Sequence, residues 1–91
     1  MAHAETTTDR NIIQRWIEQR GGQPAKVKGT EGDDGEGILL VDFAEPDDKL
    51  EPIAWEEFFK TFADRRLAFL HQDKTTDGKR SRFFKFVRRD G

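Results

Sequence analysis

Trp55, Phe58, Phe59 and Phe62 recur at i, i+3, i+4 and i+7, a spacing that lines aromatic rings along one side of a helix and demands a surface to bury them. Ile12, Ile13, Trp16 and Ile17 form a second stripe of the same period. The first helix is predicted over residues 9–20, with Thr8 as N-cap and Asp9 in the first turn, where the helix dipole favours an acid. Arg20 closes it and Gly21 supplies a left-handed stop. The second helix starts after Ala54, where Ile53 and Phe58 stand in hydrophobic-staple positions and Glu57 supplies half of a capping box. After each stripe the period changes to two. Ala25 and Val27 alternate with Lys26 and Lys28, and Leu39, Val41 and Phe43 share an apolar face, so residues 25–30 and 37–43 are predicted to pair as a hairpin. "LAFLHQ" and "RSRFFKFV" flank Asp77-Gly78, a hairpin-turn dipeptide.

The order is α-β-β-α-β-β. The expectation is an α+β fold, a four-stranded, mainly antiparallel sheet with two helices packed on one face. A bent, barrel-like sheet is the competing arrangement. Residues 1–8 read as a disordered N-terminal tail and residues 9–89 as one domain, because 91 residues cannot supply two cores. "AEPDDKLEP" reads as a polar connection holding Pro46 and Pro52. The chain has no cysteine, which removes disulfides, thiolate metal sites and cysteine nucleophiles together. No apolar run approaches the ~20 residues that cross a bilayer, and the N-terminus lacks the basic and apolar segments of a secretory signal. The expected protein is cytoplasmic, monomeric by default, away from membranes and without a cofactor.

Charge is distributed unevenly. Residues 31–57 hold eleven acids and one base, whereas residues 74–91 hold seven bases and two acids. An acidic band must either lie near a basic one or face away from it. Within "KRSRFFKFVRR" the candidate surface is Lys79, Arg80, Arg82, Lys85, Arg88 and Arg89, assisted by Lys74 and by Lys26 and Lys28 of the first hairpin. Strand alternation puts Phe84 and Phe86 with Arg82 and Arg88, and Phe83 and Val87 with Lys85. Aromatic rings interleaved with cations are what a single-stranded nucleic-acid platform uses. Cations on a strand also block edge-to-edge aggregation, and a pI near 5.7 is far below the ~9 of a dedicated nucleic-acid-binding domain. The architectural reading of the basic strand is therefore favoured.

Other constellations carry less. His71 is the one histidine inside the predicted domain and reads as a partly buried strand residue. Asp33, Asp34 and Glu36 lack the register of a calcium loop. Glu56 and Glu57 diverge around a helix and serve its N-terminus. Trp16 and Trp55 read as core anchors, and a tryptophan turned to solvent would instead suit a sugar. The segments "IIQRWIEQRGGQPAKVKGT", "GILLVDF", "IAWEEFFKTFADRRLAFLHQD" and "SRFFKFV" resemble a group of small bacterial proteins of about this length, whose members often bear the label 1,4-α-glucan branching enzyme. The resemblance implies a bacterial cytoplasmic protein, and no site residue transfers with it. Branching chemistry does not transfer either, because it needs a (β/α)8 barrel of ~250 residues with separated carboxylates. The expected function is a non-catalytic module that binds another protein. Single-stranded nucleic-acid binding through residues 79–89 stands second, and a carbohydrate-binding or enzyme-accessory unit third.

Overall fold

The computed structural model describes residues 4–32, 36–43 and 48–89. Its elements are β1 (Ala4–Thr7), α1 (Arg10–Gln19), β2 (Gln23–Val27), β3 (Ile38–Asp42), β4 (Leu50–Pro52), α2 (Trp55–Asp64), β5 (Leu67–Gln72) and β6 (Phe84–Arg88). The class is α+β, with two helices and two antiparallel three-stranded sheets in the orders β1-β5-β6 and β3-β2-β4. This corrects the expected single four-stranded sheet. Both predicted hairpins form, and each gains a third strand from a stretch that carries no alternation. Residues 4–7, expected as tail, pair with β5, with Glu5 opposite His71. Residues 50–52, expected as connection, pair with β2, with Glu51 opposite Lys26. Pro46 lies outside the described residues, whereas Pro52 ends a strand edge, where its missing N–H is tolerated.

Each half of the chain is thus a β-α-β-β unit, and the halves exchange their leading strands. The first strand of one half completes the hairpin sheet of the other. The helix ends match as well. Arg20 and Arg65 are the C-caps of α1 and α2, and the residues that follow, Gly21 and Arg66, both take positive φ (72° and 53°). Glycine accepts that conformation freely, whereas at Arg66 it costs ~1–2 kcal/mol.

Asp9, not Thr8, caps α1: its Oδ1 accepts from the N–H groups of Asn11 and Ile12 at 2.9 and 3.2 Å. Thr7 in turn accepts the Asp9 N–H. α2 starts at Ala54 without a side-chain cap, and Glu57 turns to Lys26 instead of reaching back. One cluster joins Ile13, Trp16 and Ile17 of α1, Phe58, Phe59 and Phe62 of α2, Leu39 and Val41 of β3, and Phe69 of β5. Phe69 sits at its centre. Its ring lies 5.3 Å from Trp16 and 5.7 Å from Phe86, which in turn touches Phe58 at 5.9 Å. Ile12, placed in the buried stripe by its spacing, is 45% exposed. No helix of the described residues is long and apolar enough to cross a membrane.

Gly22 packs where α1 turns into β2. A Cβ there would sit 2.9 Å from Ile17 Cγ2, 3.0 Å from Val41 Cγ1 and 3.1 Å from Phe43 Cδ1. Ile17 and Val41 are buried core side chains and Phe43 packs against the cluster, so there is little room to retreat. Gly22→Ala is expected to lower stability by ~1–3 kcal/mol in a urea melt. An unchanged midpoint would show that this corner is looser than the packing described.

Candidate functional site

The six cations of the C-terminal run do not gather into one patch. Arg80 donates to the carbonyl oxygen of Gln19 at 2.7 Å, a cation at the end of α1. Arg82 lies over the Phe43 ring at 5.5 Å, on the core side of the sheet. Arg89 donates to Leu67 O and lies over Phe62. Lys79 stands in the hairpin turn, its N–H donating to Asp77 Oδ1. Arg88 is exposed at the end of β6. Only Lys85 projects from within β6 to the outer sheet face, the side turned away from Phe69, Phe84 and Phe86. Lys74 bridges to Arg80 through the backbone, Lys28 is exposed, and Lys26 is committed elsewhere.

That outer face combines Phe83, Lys85 and Val87 with Leu70, Gln72, Ala68 and Thr6 of the neighbouring strands. Phe83 is 49% exposed and Lys85 is exposed, whereas Ala68 on the central strand is buried. The second open feature is a cavity of about 390 Å³ between β1 and α1, lined in part by Glu5, Arg15, Trp16, Gln19, His71 and Asp73. His71 forms its floor. The residue is only 6% exposed, and its Nδ1 is buried without a hydrogen-bond partner, 3.7 Å from Asp73 Oδ1. An unmade bond at a buried nitrogen costs ~1–3 kcal/mol. Trp16 and Phe69 hold the imidazole in place, their ring centres 5.9 and 5.7 Å away.

Beneath the cavity Arg20 is buried, with all three guanidinium nitrogens engaged and Asp73 Oδ1 at 4.0 Å from Nη2. It donates from Nε to Ser81 O, from Nη1 to Trp16 O and from Nη2 to Asp73 O. Its guanidinium lies 4.1 Å over the Trp16 ring. This fork fastens the end of α1 to both sides of the β5–β6 hairpin. Arg65 makes the corresponding contact in the other half, donating to Glu36 O at 2.9 Å. With one face under Arg20, Trp16 offers no platform for a sugar, and Trp55 stacks on Phe59 at 5.5 Å.

Lys26 occupies, in the other sheet, the place that His71 has in this one. Each lies on a central strand opposite a glutamate of the exchanged strand. The Lys26 ammonium lies 3.4 Å from Glu31, 3.5 Å from Glu51 and 3.3 Å from Glu57. Desolvation pulls its pKa down, but hydrogen bonding and charge from Glu57, with Glu31 and Glu51, outweigh that and hold it above the usual lysine value. Glu31 is held below its usual value by its own backbone N–H and by Lys26. Glu36, buried beside Lys60 and Arg65, is pushed up by desolvation and by Asp64. Among the described residues, Glu31, Glu36, Glu51 and Glu57 of the acidic segment are thus met by Lys26, Lys60 and Arg65. Asp33 and Asp34 lie outside the described residues, and among the described residues no group of three potential ligands could hold a metal ion.

Sequence reasoning placed Trp16, Arg20 and His71 singly, as anchor, helix end and strand residue. The cavity that Trp16 and His71 line together needs β1, which the sequence did not predict. Comparison with known proteins returns no matching family model, curated protein or solved structure.

Replacing the Arg20 fork by a point charge removes two of three carbonyl contacts, so Arg20→Lys is expected to cost ~2–4 kcal/mol in urea unfolding. Arg82→Ala, losing one exposed ring contact, should cost less than ~1 kcal/mol; equal losses would refute the stapling role. Lys26 raises stability below its unfolded pKa, an effect lost as pH rises through its higher folded value. Glu31 contributes above the usual glutamate range and loses that contribution on acidification. Lys26→Met should therefore lower Tm at pH 7 and do so less in acid, once pH falls through the depressed Glu31 value and that carboxylate takes up its proton. A pH-independent loss would mean that packing, not charge, explains Lys26.

Proposed function

We propose that this chain is a small non-catalytic interaction module that engages another protein through the outer face of the β1-β5-β6 sheet. The observation that carries the reading is Phe83, 49% exposed on the side of the sheet that also carries Lys85, Leu70 and Val87. A protruding aromatic ring with aliphatic neighbours is the usual anchor of a protein interface. Lys85 stands opposite Leu70 on the same face, and Arg88 is exposed at the strand end. The partner surface that fits is apolar at its centre and acidic at its rim, with charge setting orientation and on-rate.

The same face bears on the nucleic-acid reading, since Phe83 and Lys85 share it. A single-stranded platform needs cations along a track. Here Arg80, Arg82 and Arg89 are held by carbonyl oxygens and rings, and the four apolar side chains Phe83, Val87, Leu70 and Ala68 outnumber one lysine on the face. Protein is the better-supported partner.

A photo-crosslinking amino acid at position 83, with position 63 on α2 as control, tests the face in cells. The protein captured only from position 83 is then purified and its affinity measured. Phe83→Ala should weaken binding about tenfold or more, and Lys85→Glu several-fold with the larger effect at low salt. Affinities unchanged by both substitutions reject the proposal. So do crosslinks to nucleic acid joined by an oligonucleotide mobility shift that disappears as salt rises.

A further inference from the structure

We infer that a separate cavity, where the outer side of the β1-β5-β6 sheet ends at Arg88, binds a phosphate monoester. Arg88, Arg89, Thr6 and Thr8 hold the phosphate, and Ala68 and Val87 receive the organic group. The inference stands whether or not a protein docks at Phe83. Three observations carry it.

The first is shape. A cavity of about 360 Å³ is lined in part by Thr6 and Thr8 along one edge and by Val87, Arg88 and Arg89 along the other, with Ala68 between them. The strand register explains the hollow. Ala68 pairs with Val87, and Thr7 pairs with Phe69, so Thr8 comes level with Ala68 on its other side. Ala68 belongs to the outer face, because its neighbour Phe69 enters the core. A single methyl group on the central strand, between longer side chains on both edges, leaves a trough there. Leu70 fills the next outward position.

Charge is the second observation. The cavity lining contains two arginines and no acid. Across β1, β5 and β6 the one carboxylate is Glu5, which turns with His71 to the inner side of the sheet. Asp9, which follows Thr8, uses Oδ1 to accept from the N–H groups of Asn11 and Ile12. Lys85 stands on the outer face too, in line with Thr6 across Leu70. An anion entering here meets cations from the sheet and no carboxylate.

The third is a set of unused donors. Arg88 is exposed, and its guanidinium has no partner among the described residues. Arg89 commits Nε to Leu67 O and one face to Phe62, which leaves the N–H groups of both Nη atoms. The Thr6 and Thr8 hydroxyls make no bond among the described residues, and Thr7 accepts from the Asp9 N–H with its own O–H left over. These donors stand on both sides of one hollow. A carboxylate offers two oxygens in a plane and one charge. A phosphate monoester offers three oxygens around a tetrahedron and close to two charges at pH 7, so it can accept from both sides at once. The cavity is at the small end of ligand sites, which suits a phosphate bearing one ring-sized group and a millimolar affinity.

The test follows the backbone amides of the full chain, labelled with 15N, at one fixed low ionic strength. Phenyl phosphate is the probe. Benzoate keeps the ring on a planar single charge, and dimethyl phosphate is a diester with one charge. Phenyl phosphate should shift the amides of Thr6, Thr8, Ala68 and Val87 saturably, with a midpoint of a few millimolar or below. Benzoate and dimethyl phosphate should each bind at least about tenfold more weakly. Arg88→Ala should weaken phenyl phosphate about tenfold, Arg88→Lys less, and Thr6→Val several-fold. Both positions are exposed, so the amide spectrum elsewhere should stay unchanged. Arg82→Ala, which removes a cation lying over Phe43 on the inner side, should leave binding as it was. No saturable shift at these amides up to about 50 mM phenyl phosphate overturns the inference. So does benzoate or dimethyl phosphate binding as tightly as phenyl phosphate, or Arg88→Ala and Arg82→Ala weakening it alike.

Discussion

The exchange of leading strands is the constraint on which the rest depends. A two-stranded hairpin is marginal alone in water, and each hairpin here reaches three strands only by borrowing from the other half. The strands concerned are short, four residues in β1 and three in β4, so backbone pairing alone would hold them weakly. Side chains reinforce the exchange. Arg20 reaches from the first half to carbonyl oxygens of the second, and Arg65 reaches from the second to Glu36 of the first. The aromatic cluster around Phe69 then has no boundary between halves, since Trp16 and Phe86 meet on the same ring.

Common scaffolding makes the divergence of the two halves informative. The places held by Lys26 and His71 share a central strand, an exchanged strand bearing a glutamate, and a helix above. In one, charge is neutralised internally by three carboxylates around an ammonium. In the other, a histidine nitrogen is left without a partner beside an open volume. The uneven charge of the chain has a related explanation. Described acids of the middle segment are met by Lys26, Lys60 and Arg65, and Arg80, Arg82 and Arg89 reach carbonyl oxygens or cover rings. What looks like two opposed faces in sequence is mostly local pairing in space.

Both helices and both hairpins were legible because strong apolar periodicity specifies them. Phe58, Phe59 and Phe62 can be buried together only on a helix, and Leu39 and Val41 only on one side of a strand. The exchanged strands were not legible. "AETT" and "LEP" are too short and too polar to alternate, and their pairing is decided by partners far along the chain. Everything that rests on them was hidden for the same reason: the split into two sheets, the cavity wall, and the pairing of Glu5 with His71. Arg20 was legible as a helix end, but its contact with Ser81 spans 61 positions and leaves no local trace. Alternation did foretell that Arg82 and Lys85 part company. Which ring or carbonyl oxygen receives each cation depends on packing that no spacing encodes.

Pairing Ala4 with Gln72 also fixes an order of events. On a ribosome β1 emerges first, yet β5, the strand it lies against, is made last but one. Until then the earliest segment has no place to settle, and β2 and β3 must await β4 before their own layer closes. Contacts of such long range delay the crossing of the folding barrier. Neither three-stranded layer can therefore be complete before the strand it borrows from the other half has been made.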